Sequence, residues 1–160
     1  MYFLYNAASS LCLHLIFASF FFSIDQVSKI WAIRNLSEIQ AINYLAFLRL
    51  QLQYNFGCAF SLLESIGRVS QSLLCVMSLL IVGFIFTCAV KRIFSQKTAW
   101  TEAIILAGGL SNIFDRFFRG HVVDFINPCF GRYAWPTTFN LADCFIVVGI
   151  ILLAARMINE

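Results

Sequence analysis

From Met1 to Ile24 no residue carries a charge, and Val69 to Val90 is uncharged as well. Such runs leave few structures open. The hydrocarbon of a bilayer, roughly 30 Å thick, takes about 20 apolar residues to cross as a helix. Inside it, every backbone N–H and C=O has to be satisfied within the segment. The first run could also be a signal peptide, but no basic residue precedes its apolar part. Nor does a clear small-x-small cleavage site come before Asp25, so a retained span over 4–24 is expected. The second run predicts a span over 70–90, closed by Lys91 and Arg92. Trp100 marks a membrane interface at the start of a third span over 99–115, and a fourth over 139–156 ends at Arg156. The expected fold class is therefore a membrane protein with four transmembrane α-helices, a single domain over 1–160. Composition agrees: 61% of the residues are hydrophobic and 12% charged, against about 25% charged in a soluble domain.

The segment 25–69, between the first two spans, is too patterned for a plain connector. In DQVSK, Asp25 and Lys29 stand one helical turn apart and can pair. WAIRNLSEIQAI reads as an amphipathic helix with Trp31 at headgroup level. In FLRLQLQYNF the period changes to two: Leu48, Leu50, Leu52, Tyr54 and Phe56 share one face, and Arg49, Gln51, Gln53 and Asn55 the other. Asn55 ends the polar face, and Gly57 lets the chain turn. A small extracytoplasmic β-sheet with an amphipathic helix, lying on the membrane, is the expected element between helices 1 and 2.

Four spans would put both termini on one side. Seven basic residues (Lys29, Arg34, Arg49, Arg68, Arg116, Arg119 and Arg132) would then face Lys91, Arg92, Lys97 and Arg156 on the terminal side. A raw positive-inside count places the termini outside. The opposite is expected here, with cytoplasmic termini and with 25–69 and 116–138 outside. Several of those arginines sit among carboxylates, and a long first loop weakens the rule. The net charge of +3 forms no basic stripe, so no nucleic-acid partner is expected. The cysteines at 12, 58, 75, 88, 129 and 144 include no CxxC pair, so neither disulfides nor zinc are expected. His14, in mid-span, reads as a packing residue.

The chemistry gathers in Gly108–Asp143, where Asp115, Asp124 and Asp143 stand with Asn112, Arg116 and Asn140. A boundary Asp often only caps a helix, but ionisable groups converging at a membrane edge mark a functional site. Two carboxylates close together in a low-dielectric site cannot both ionise easily and can divide acid and base roles. One activates water and the other protonates the departing amine, which is peptide hydrolysis without a metal or cofactor. No HExxH and no Ser–His pairing offers another route, and His121 alone reads as structural or peripheral. Two alternatives stay open: a metal-dependent membrane hydrolase holding magnesium on Asp115, Asp124 and Asp143, and a small proton-coupled transporter with Asp143 as relay.

Five stretches, in order, carry a resemblance over nearly the whole chain: DQVSK at 25–29, YNFGCAFS at 54–61, GGLSNIFDR at 108–116, HVVDF at 121–125 and FNLAD at 139–143. Together they resemble lipoprotein signal peptidase (signal peptidase II), the four-span aspartyl peptidase of the bacterial plasma membrane. The resemblance implies an endopeptidase that cuts diacylglyceryl-modified prolipoproteins before the lipidated cysteine, with its site facing the periplasm or outer surface. It implies that Asp124 and Asp143 are catalytic, and that Asn55, Asn112, Arg116 and Asn140 line the site. Asp25, Lys29 and Gly57 would support it, and Asp115 would be a structural partner of its neighbours. A monomer working on lipidated substrate amid membrane lipids is expected. Two positions depart from the family pattern, Cys58 for an alanine and Ser111 for a glycine.

Overall fold

The computed structural model describes residues 2–56, 99–131 and 133–158, together with 80, 83 and 87. Helix α1 (Tyr2–Asn35) runs unbroken through the first apolar stretch, DQVSK and Trp31. Of the expected amphipathic helix at 31–42, only 31–35 are helical, as the last turn of α1; 36–41 are not helical and Ile42 begins a strand. Strands β1 (Ile42–Leu45) and β2 (Leu48–Asn55) follow as a hairpin. Helix α2 (Ala99–Arg119) leads to β3 (Val122–Phe130), β4 (Tyr133–Ala134) and helix α3 (Leu141–Ile158).

Helix α2 packs broadly on both α1 and α3. It runs parallel to α1, with His14 meeting Glu102 and Lys29 meeting Asn112, and antiparallel to α3, where Gly108 lies against Ala142 and Gly149 against Ile105. Residues 101–109 of α2 are all buried, the mark of a helix enclosed on every side. Close approach needs a glycine at one point: a Cβ on Gly108 would lie 2.5 Å from the Ala142 carbonyl oxygen and 2.8 Å from Ile146 Cγ1. Away from the sheet, His14 Nε2 meets Glu102 Oε2 at 2.7 Å, both side chains buried, so the lone mid-span imidazole is a contact between α1 and α2.

The expectation of four transmembrane helices is corrected. Among the described residues there are three helices, and one stretch, Cys12–Asn35 of α1, is long and apolar enough to cross a membrane by length and composition. The expected span 70–90 falls almost wholly outside the described residues. Helix α2 carries Glu102, Asp115, Arg116 and Arg119, too many charges for a plain span. The 18 residues of α3 rise about 27 Å, short of the hydrocarbon, and its first turn holds Asp143.

The sheet is an antiparallel meander in the order β1-β2-β3-β4. The alternation read in 47–56 is a strand with its apolar face inward. Leu52 packs with Val123, Phe125 and Ala32, flanked by Leu50, Tyr54 and Leu141, which seats the sheet on the ends of α1 and α3. Between Leu50 and Gln53 the pairing shifts by one residue, a bulge. Beyond it, Gln53 pairs with Asp124, Tyr54 with Val123 and Asn55 with Val122. The sequence reading placed 116–138 outside the membrane and gave it no strand. Val122 to Phe125 are all buried, so the strand lacks the alternation that marked β2.

Candidate active site

Five elements deliver the polar residues to one place: the end of α1, the end of β2, the last turns of α2, the start of β3 and the beginning of α3. Helix α3 sets the frame. Asn140 precedes its first turn, Asn140 Oδ1 accepts the Asp143 N–H (3.0 Å), and Asp143 Oδ2 accepts the Asn140 N–H (3.2 Å). That reciprocal pair is a capping box. A third orphan donor of the turn, the Ala142 N–H, bonds Asp25 Oδ1 of α1 at 2.8 Å. A carboxylate at a helix N-terminus is stabilised there by the helix dipole.

Asp25 and Lys29 do pair, at 2.7 Å, and both are fully buried. Lys29 Nζ also meets Asp115 Oδ2 at 2.8 Å and donates to Asn112 Oδ1 at 3.0 Å, so three acceptors meet its three protons. Asn112 Oδ1 takes a second bond from Asn140 Nδ2 (3.2 Å), which leaves Asn112 Nδ2 to donate to Asp143 Oδ1 at 2.8 Å. Lys29 therefore fixes which end of the Asn112 amide faces the carboxyl.

Asp124 projects from β3. Its Oδ1 accepts from Asn140 Nδ2 at 2.6 Å and its Oδ2 from Asn55 Nδ2 at 2.9 Å. The register explains the second bond, because Asn55 lies diagonally across from Asp124 on the same sheet face. Asn140 thus joins Asp124 and Asp143 directly. Burial above all, then the charge of Asp143, pushes the Asp124 pKa up to about 7 against the opposing bonds from Asn55 and Asn140 and the charge of Lys29. Near neutral pH, Asp124 stands between acid and base.

Asp115 is fully enclosed. Its Oδ1 accepts from Gln26 Nε2 (3.0 Å) and pairs with Arg119, and its Oδ2 meets Lys29 and the Val123 N–H (3.2 Å). This makes it a strut between α1, α2 and β3. Arg116, expected in the site, is half-buried and makes no hydrogen bond or ion pair to a described residue. Arg119, one turn on, also donates to Gln26 Oε1 at 2.9 Å. Gln26 and Arg119 were not singled out in the sequence, although Asp115 and Arg119 have the i,i+4 spacing of a helical pair. Ser111 is buried: its Oγ donates to Asp25 Oδ2 at 2.6 Å and accepts from Gln26 Nε2 at 2.7 Å. Gly57 and Cys58 lie outside the described residues.

The family model described as Signal peptidase (SPase) II matches residues 17–159. The chain belongs to the signal peptidase II family. The lipoprotein signal peptidase of Pseudoalteromonas atlantica is 37% identical over 87% of this chain and 85% of its own. That of Cupriavidus taiwanensis is 34% identical over 88% and 80%. A solved structure titled as a bacterial membrane enzyme, 23% identical, superposes with a TM-score of 0.78 over 92% of this chain and 93% of its own, so the fold is shared. As a signal peptidase II, the protein is a membrane-bound aspartic endopeptidase that removes signal peptides in lipoprotein maturation. Its setting is that of prolipoproteins and membrane lipid.

Proposed function

We propose that Asp124 and Asp143 are the catalytic pair of this signal peptidase II and that its substrate is a diacylglyceryl-modified prolipoprotein, cut before the lipidated cysteine. One observation carries the assignment: Asn140 bridges the two carboxyls, while burial and the charge of Asp143 hold the Asp124 pKa near 7. With one proton between them, the ionised carboxyl takes a proton from the attacking water. The protonated one gives its proton to the scissile carbonyl oxygen. As the tetrahedral gem-diol collapses, the carboxyl that took the proton from water passes it to the leaving nitrogen, and the other recovers its own from the gem-diol hydroxyl. Asn112 and Asn140 keep the two groups aimed together, and Lys29 keeps Asn112 aimed. The magnesium alternative loses support because four donors already occupy both oxygens of Asp115.

The site faces the periplasm or outer surface in this reading, with both termini cytoplasmic. Its support is the antiparallel packing: Asp25 near the end of α1 touches Ala142 at the start of α3. At the other end, Arg156 of α3 lies over the Trp100 ring at the start of α2, 4.5 Å from its centroid.

The test is cleavage rate per folded molecule for Asp124→Asn, Asp143→Asn and the double variant, on lipidated and unlipidated precursor, with and without chelator. Each single variant should lose at least ~10²–10⁴-fold, and the double should be scarcely worse because the two act as a unit. The unlipidated precursor should be cut poorly and the chelator should do nothing. Near-normal turnover in either single variant refutes the pair.

A further inference from the structure

Asn55 is the last residue of β2, and strand ends are where pairing opens most easily. Yet Asn55 Nδ2 must stay on Asp124 Oδ2 for that carboxyl to keep its setting. Part of what steadies it lies on the opposite face. Side chains alternate along a strand, so Tyr54 and Phe56, the two neighbours of Asn55, point away from Asp124. Both rings lie against His121, with centroids at 4.4 Å for Tyr54 and 5.3 Å for Phe56.

His121 is itself held from both sides. Gly120, with φ at 78°, ends α2 in the left-handed conformation that glycine adopts without strain. Two residues later, the Val123 N–H is bonded to Asp115 Oδ2. The imidazole therefore stands at a fixed place beside the end of β2. Burial above all, together with the charge of Arg119, lowers its pKa from the ordinary value, against Asp115 and Glu38. At neutral pH it is an uncharged aromatic ring.

We propose that His121 is a positioning residue for the cleavage reaction: stacked on Tyr54 and Phe56, it clamps the end of β2 and so keeps the Asn55 amide on Asp124. It acts through Asn55 and exchanges no proton with the substrate. The inference rests on reading Asp124 as half of the catalytic pair. The Asn55 bond favours the ionised form of Asp124, so loosening it raises the pH at which Asp124 gives up its proton. The other groups facing Asp124 (Asn140, Asp143 and Lys29) do not touch the clamp.

The experiment measures kcat against pH for the full-length protein in detergent on a lipidated prolipoprotein, per folded molecule. The variants are His121→Ala, His121→Phe, Asn55→Ala, His121→Ala with Asn55→Ala, and Asp124→Asn. His121→Ala should lower kcat several-fold and move the alkaline limb upward, in the direction that Asn55→Ala moves it. His121→Phe, which keeps a ring, should recover most of both effects, and the double variant should be no worse than Asn55→Ala. An unmoved alkaline limb in His121→Ala overturns the proposal. So do losses that multiply in the double variant, or a His121→Phe as impaired as His121→Ala. Normal turnover by Asp124→Asn would instead bring down the catalytic pair itself. An inert Asp124→Asn beside an unaffected His121→Ala would bring down the clamp alone.

Discussion

Asp124 is a carboxyl that the folded protein holds protonated well above the pH at which the unfolded chain releases it. Its pKa rises from 3.8 to about 7, so the native state retains a proton that the unfolded chain releases. The sign is the reverse of the usual salt-bridged aspartate: the stabilisation is complete below about pH 4 and is lost as pH rises through about 7. Thermal unfolding in detergent should show Tm falling between about pH 5 and about pH 8, and Asp124→Asn should flatten that slope. An equal slope in the variant would place the titration elsewhere. Lys29 is the other decisive residue. Lys29→Met would leave Asp25 and Asp115 buried without its charge, a loss of about 3–5 kcal/mol by the measure of broken buried pairs. Urea or thermal unfolding should report it even where cleavage is too slow to measure. Stability within about 1 kcal/mol of the parent protein would show the pair to be weakly coupled to folding.

At the scale of elements, legibility followed periodicity. The alternation of 48–55 exposed β2 and the face of Asn55, because Leu52 is buried with Leu50 and Tyr54 packed beside it while Gln53 on the other face is exposed. The strand over 122–130 left no such trace, since Val122, Val123, Asp124 and Phe125 are all enclosed. Helix α1 was read as stopping near Asp25 because charge was taken as the end of the membrane run. In the fold Asp25 and Lys29 neutralise one another, and the helix continues. Asn140 and Asp143 were singled out as site residues, but their reciprocal capping of α3 was not read from the sequence. The bond from Asp25 to Ala142 joins residues 117 positions apart, and no local pattern announces it. The register of β2 makes a direct prediction. One residue inserted between Gln53 and Asn55, past the bulge and so with no irregularity to absorb it, should turn Asn55 to the wrong face. Cleavage should fall at least tenfold while the helices stay folded by circular dichroism. Full activity would free Asn55 of its assigned part.

For the molecule as a whole, the charge count in the sequence pointed the wrong way for the orientation proposed here, and the fold supplies a reason. Of the seven basic residues on the site side, Lys29 and Arg119 are paired with Asp25 and Asp115, so they do not act as loose surface charges. A reporter fused after Glu160 should be active in the cytoplasm and silent when it depends on export. The opposite result would invert the orientation and place the site on the cytoplasmic face.

The bond between Asp25 and the Ala142 N–H also has a consequence in time. A chain emerging from the ribosome makes α1 and α2 first, and with them Asp25, Lys29, Asn112 and Asp115. It has neither Asn140 nor Asp143 until α3 is synthesised. When α3 arrives, its first turn is completed by a carboxylate already waiting on α1, and the same docking step brings Asp143 to Asn112. On the proposed assignment of Asp143 to the catalytic pair, peptidase activity would switch on only when α3 docks, and a nascent or truncated chain without α3 would be a harmless one in a membrane full of other proteins.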